Sequence, residues 1–195
     1  MKLAHIHPQN DYVLSVSGKR ISLNQPDQSS FLIEDIAHSL SMIPRFNGNL
    51  RKHYSVAQHS VLVSRLVPKQ HAFRALMHDA SEFALGDMSS PLKAKMPAYR
   101  KYESRMQDAI HRAFGIATAC SPAVERLVKT ADLQMLAAEK AQLMPFDDGP
   151  WSILEGVLVP DIRIRPMGQR ASFNLFMNRF RDLVGQQSES ARAAA

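Results

Sequence analysis

The segment that decides the fold is "HAFRALMHDASEFALGD", residues 71–87. Ala75, Leu76 and Phe83 recur at helical spacing, which predicts a helix over 71–85 stopped by Gly86. Its polar residues do not keep to the opposite face. Asp79 follows Leu76 by three and Ala75 by four, so it joins the apolar stripe. Glu82 lies three beyond Asp79 and four beyond His78, so the three converge on one edge. A helix that turns ionisable groups toward its core needs something there to compensate them.

The flanking sequence has the same period. "FLIEDIAHSLSMI" is a helix ended by Pro44, and "YSVAQHSVLVSRLV" a second closed by Pro68. After the loop "GDMSSPLKAKMP", "AYRKYESRMQDAIHRAF" reads as a helix with a left-handed stop at Gly115. Ser121 and Pro122 open a long helix that ends before Pro145. Residues 146–168 are irregular, and "ASFNLFMNRFRDLV" is a last helix. Near the start, "YVLSVSGKRISL" places Gly18 between two alternating runs and reads as a β-hairpin. The expected architecture is all-α: one domain over residues 1–195, with a hairpin extension at 1–28 and a frayed tail at 185–195.

Composition narrows the function. Hydrophobic residues make up 45% and charged residues 22% of the 195, ordinary for a globular protein. No apolar run is long enough to cross a bilayer, "MKLAHIHPQN" lacks a secretory signal, and Cys120 has no partner for a disulfide. A cytoplasmic protein is expected. The net charge of +6 and pI near 9.7 favour anionic partners.

The same facing argument applies to two further helices. His59 lies three after Val56 and four before Val63, and Asp132 lies four after Val128 and four before Leu136. His59, His78, Asp79 and Asp132 therefore point inward from three helices. Burying two carboxylates costs several kcal/mol each unless their charge is met. No Lys or Arg falls on those stripes, so a divalent cation is the expected compensation. Two imidazoles and two carboxylates suit zinc, iron, manganese or cobalt. The ordinary alternative is four polar core residues satisfied by hydrogen bonds.

The strings "YSVAQHSVLVS", "ALMHDASEFALGDMSSPLK" and "VKTADLQMLAAE" resemble the HD-domain metal-dependent phosphohydrolases, over roughly residues 30–184. The likeness is greatest to the deoxynucleotide-cleaving branch, and "IPRFNGN" and "SVSGKRISL" are similar to its phage-type members. The resemblance implies a helical HD bundle with one divalent ion on His59, His78, Asp79 and Asp132. It implies catalytic roles for Glu82, as acid or base, and for Asp87. It also implies substrate contacts from Arg45, on phosphate, and Phe46, where relatives often carry the Trp that packs on the sugar.

Hydrolysis of a phosphoester needs a nucleophile at neutral pH and a sink for developing charge, both of which a divalent ion with open positions supplies. Glu82, one turn past His78, is placed to move or orient a proton. Asp87, just after the helix stop, either donates to the leaving oxygen or positions water. The Arg45 guanidinium matches a phosphate with two prongs, and Lys93 either reaches the same anion or is a solvated loop lysine. "RKH" at 51–53 either helps hold a polyphosphate or is plain surface. His5, His7, His38, His53, His71 and His111 have no matching carboxylates and read as surface or packing residues. Tyr99 and Tyr102 read as core or subunit contacts.

The favoured expectation is a deoxynucleoside triphosphate triphosphohydrolase, dATP preferred, releasing deoxynucleoside and triphosphate, with additional Mg²⁺ or Mn²⁺ on the triphosphate. The second is a 5′-deoxynucleotidase acting on monophosphates. The third, a basic nucleic-acid-binding protein with a vestigial site, lacks the interleaved basic and aromatic residues such a surface needs. No stable nucleic-acid or membrane partner is expected. The family likeness implies a homo-oligomer, dimer or hexamer, in the cytoplasm (the host's, for a phage-encoded chain).

Overall fold

A computed structural model describes residues 11–146 and 149–193, with side chains to residue 186; His5, His7 and residues 194–195 lie outside that range. The hairpin pairs β1 (Tyr12–Leu14) antiparallel with β2 (Arg20–Ser22), Val13 opposite Ile21. Gly18 has φ +81°, the turn conformation that required glycine. Asp35 ties this turn to the helical body, accepting hydrogen bonds from the hydroxyls of Ser15 and Ser17 at 2.6 Å each.

Eight α-helices follow among the described residues: α1 (Ile33–Met42), α2 (Val56–Leu66), α3 (Ala72–Leu76), α4 (Glu82–Leu85), α5 (Ser90–Lys93), α6 (Pro97–Ala113), α7 (Pro122–Leu143) and α8 (Gln169–Ala193). The architecture is all-α with one two-stranded hairpin. No helix among the described residues is long and apolar enough to cross a membrane.

α2 is the axis of the fold. It packs against α1, α3, α7 and α8, and every residue from Val56 to Ser64 is buried. Each Val or Leu so enclosed contributes about 1.5–3 kcal/mol relative to exposure. The helix also has to satisfy its polar residues inside the bundle. Ser55 caps its start, accepting from Gln58 N–H at 3.2 Å, while the Gln58 side chain binds the irregular segment through Arg165 O and Met167 N–H. Arg179 of α8 donates to Ser64 Oγ and O at 3.0 Å. Phe180 wedges between Phe73 and Phe114, locking α8 over α3 and the end of α6.

One sequence expectation needs correction. The helix expected over 71–85 is two helices, α3 and α4, separated by a tight turn at Met77–Ser81. At the other end, α8 extends to Ala193. Ser121 and Pro122 do open α7, with Ser121 Oγ accepting from Val124 N–H.

Candidate metal centre

His59 comes from the middle of α2, His78 and Asp79 from the turn after α3, and Asp132 from the middle of α7. His59 Nε2 is 3.3 Å from Asp132 Oδ1 and 3.7 Å from Asp79 Oδ2. His78 Nε2 is 3.1 Å from Asp79 Oδ2 and 3.9 Å from Asp132 Oδ1. His59, His78 and Asp132 each offer a ligand atom within 4.8 Å of the others. Bonds of about 2.0–2.2 Å at tetrahedral or octahedral angles place neighbouring ligand atoms about 3–3.6 Å apart. The 3.1 and 3.3 Å spacings fall in that range, and the 3.7 and 3.9 Å spacings exceed it by a few tenths of an ångström.

The two imidazoles are prepared in the same way. His59 Nδ1–H donates to Glu139 Oε1 at 2.6 Å, and His78 Nδ1–H donates to Ala75 O at 2.8 Å. That orients each ring with Nε2 toward the two carboxylates, where the neutral imidazole that metal binding requires would present its lone pair, and both Nε2 atoms are buried without a hydrogen-bond partner. A buried orphan nitrogen costs about 1–3 kcal/mol. Two of them facing two carboxylates form a donor set that fits a divalent cation, with the outer hydrogen bonds that metal-bound histidines commonly make.

The expectation that no basic residue neutralises these carboxylates is corrected at one point: Lys129 Nζ lies 2.7 Å from Asp132 Oδ2. Lys129 is largely exposed and takes the oxygen turned away from His59. Burial works against ionisation of Asp132, but the adjacent imidazoles of His59, at 3.3 Å, and His78 hold it well below the usual carboxylate range. Asp79 is likewise held low against burial, chiefly by His78.

Glu139 has no counterpart among the expected site residues. It is fully buried and also accepts from Tyr54 Oη–H at 2.8 Å and Arg45 Nη2–H at 3.1 Å. The facing rule that selected Asp132 also selects Glu139, four after Met135 and three after Leu136. Burial raises its pKa, but Arg45 and His59 outweigh burial and leave it lowered.

Arg45 reaches this position through a strained loop. Pro44 and Ser55 form a β-bridge, and Arg45 N–H donates to Tyr54 O at 2.9 Å. Between them Phe46 and Asn47 have φ of 56° and 53°, left-handed values that non-glycine residues rarely take and that cluster at functional sites. Arg45 Nη1 stands 3.8 Å from Asp87 Oδ2, and its Nε is buried without a partner.

Glu82 is buried with Oε2 unpartnered. Burial, reinforced by Asp79 and Asp87, pushes its pKa well above the usual value. Asp87 is raised by burial too, with Arg45 opposing. Lys93 binds Glu103 at 2.5 Å and has its charge near Glu82 and Asp79. Of the "RKH" string, His53 is half-buried with its Nε2 3.0 Å from Ser41 O, while Arg51 and Lys52 are exposed. Tyr99 donates to Gly86 O at 2.8 Å, bracing the end of α4.

Beside Arg45 and Asp87 opens a cleft of about 760 Å³. Phe46, Met88, Leu136, Met144 and Trp151 are among its apolar lining residues, and Asn47 and Asn49 also line it. The Phe46 and Trp151 rings lie 6.4 Å apart, tilted by 53°. Trp151, the sole tryptophan, was not among the expected site residues; its place in an irregular segment gave no periodicity to read.

Fold and site together define an all-α protein in which His59, His78 and Asp132, with Asp79 beside them, could hold a metal ion, and in which Arg45 and Asp87 line an apolar cleft. The chain belongs to the same family as the uncharacterized protein YfdR of Escherichia coli (strain K12), to which it is 39% identical over 173 residues, 88% of this chain and 95% of the relative. It is also 34% identical over 175 residues to the uncharacterized protein RCAP_rcc00048 of Rhodobacter capsulatus, 81% of this chain and 89% of that one. No protein-family model matches the chain.

Proposed function

We propose that this protein is a metal-dependent phosphohydrolase of deoxynucleotides, acting first on triphosphates and preferring dATP. The observation that carries the reading is the pair of buried, unpartnered Nε2 atoms of His59 and His78 facing Asp79 and Asp132 at 3.1–3.9 Å. Those four residues would hold the ion, which when bound supplies water activation and charge neutralisation at the phosphoryl group. The resemblance of the motifs to HD-domain phosphohydrolases narrows the phosphoester to a deoxynucleotide.

The chain's own groups divide the remaining work. Arg45, anchored on Glu139 and carrying a free Nε–H, binds a phosphate oxygen and offsets its charge. Glu82, its pKa pushed up chiefly by burial, exchanges a proton with the reacting oxygens. Asp87, also raised, lies on the Arg45 side, where a leaving oxygen emerges toward the cleft. The cleft volume lies within the range of small-molecule sites. Its aromatic wall accepts a flat base and its Asn side chains can hydrogen-bond the base edge. Lys93 would have to leave Glu103 to meet an anion.

The test is product analysis over the four dNTPs and four dNMPs, with metal content measured on the same sample. Deoxynucleoside plus intact triphosphate is the expected result. Phosphate released from monophosphates alone moves the assignment to a 5′-deoxynucleotidase. No hydrolysis in any divalent metal overturns the reading.

A further inference from the structure

The turn that carries His78 and Asp79 is unexpected on local grounds. Residues 72–85 contain no glycine or proline and are rich in alanine, leucine and other helix formers. In a continuous helix Ser81 N–H would donate to Met77 O. Here the side-chain amide of Gln107, from α6, takes both ends of that missing bond. Ser81 N–H donates to Gln107 Oε1 at 2.9 Å, and Gln107 Nε2–H donates to Met77 O at 2.6 Å. The second Nε2 hydrogen points to His111 Nε2 at 2.7 Å. His111 is buried, and burial with the nearby Arg74 lowers its pKa to about 4, so its ring is neutral and accepts.

The break has a consequence for the metal centre. Adjacent residues on a regular helix diverge by about 100° and cannot serve one point. Across the turn, His78 Nε2 and Asp79 Oδ2 come within 3.1 Å, and the His78 ring takes up Ala75 O, a carbonyl that a continuous helix would give to the amide of residue 79. Resting on the metal reading above, we infer that Gln107 is a positioning residue: its amide, spliced into the helix ladder and backed by His111, holds the turn open so that His78 and Asp79 can bind the same ion.

Two variants and two readouts test this. Gln107→Leu removes both ladder contacts; Gln107→Glu keeps the acceptor for Ser81 N–H and loses the donor to Met77 O, so it covers the case in which the leucine variant does not fold. Titration of each metal-free protein with Co²⁺ is expected to show affinity lowered by about 10- to 100-fold, the usual effect of removing outer support from a metal site, with an altered visible absorption band. Hydrogen exchange of the metal-free proteins is expected to show changed protection confined to residues 77–85. Wild-type Co²⁺ affinity and band in the folded variants, or unchanged exchange at Ser81, overturns the inference and leaves the metal reading standing. A wild-type protein that binds no Co²⁺ overturns the metal reading, and the exchange experiment still decides whether Gln107 holds the turn.

Discussion

His59 Nδ1 and Glu139 Oε1 stand 2.6 Å apart, with both side chains withdrawn from solvent. The carboxylate orients the imidazole and aims Nε2 toward Asp79 and Asp132, while its other oxygen holds Arg45 at 3.1 Å. One buried acid therefore orients both the His59 imidazole and the Arg45 guanidinium.

Replacing Glu139 by Gln keeps the shape and removes the charge. Metal affinity is expected to fall about 10- to 100-fold, and kcat/KM with it. Glu139→Ala leaves Arg45, Tyr54 and His59 without their common partner and is expected to destabilise the fold by about 3–5 kcal/mol, the range for breaking a buried charge pair. Because the Glu139 pKa is depressed in the folded state, its contribution is present above the ordinary value of 4.5 and is lost as pH falls toward the depressed one. Denaturant titration at neutral and acid pH measures it.

Metal uptake should release a proton from His59. Burial and Arg45 press the imidazolium pKa down, but Glu139 and Asp132 outweigh them and carry it up to about 9 in the ion-free protein. A ligating imidazole is neutral, so affinity should rise about tenfold per pH unit up to that value. Calorimetry in buffers of different ionisation enthalpy counts the proton; a pH-independent affinity between about pH 6.5 and 8.5 would contradict the assignment. The sign reverses for stability without metal. The raised pKa stabilises the folded state fully below 6.5, and that stabilisation is lost as pH rises through about 9.

Glu82→Gln separates catalysis from stability. Loss of a proton-transfer group is expected to lower kcat by about 10²- to 10⁴-fold. The same change should stabilise the metal-free protein. A carboxyl whose pKa is raised by burial binds more protons folded than unfolded, so it weakens the fold as pH rises above 4.5. Each kcal/mol recovered corresponds to roughly 2–4 °C in Tm for a chain of this size. A variant with wild-type kcat removes Glu82 from the mechanism.

Arg45→Lys keeps the positive charge but not the fork. With a charged hydrogen bond worth about 1.5–3 kcal/mol, kcat/KM is expected to drop roughly 10- to 100-fold. Metal affinity should change far less. Equal losses in both would place Arg45 in the fold rather than on the substrate.

Trp151→Ala opens the cleft without touching the metal ligands. Base–aromatic stacking is worth about 1–3 kcal/mol, so KM for dATP is expected to rise about 5-fold or more. Steady-state kinetics with dATP and dCTP reads the effect, and an unchanged KM for both would exclude the ring from the substrate's path.

The repeating apolar period by itself marked most of the helices, their order and the inward facing of His59 and Asp132, because a side chain's direction on a helix follows from its register; Asp79 stands in a turn that this rule does not describe. Pro44, Gly86, Ser121 and Pro122 marked the ends by local backbone preference. Glu139 was legible by the same rule, four residues past Met135. Tertiary structure alone decided the turn at Met77–Ser81, where an amide from α6 displaces a hydrogen bond that local propensity favours. It also decided the strained seat of Arg45 and the meeting of Phe46 with Trp151. Those depend on groups distant in sequence, and no local period encodes where a loop folds back.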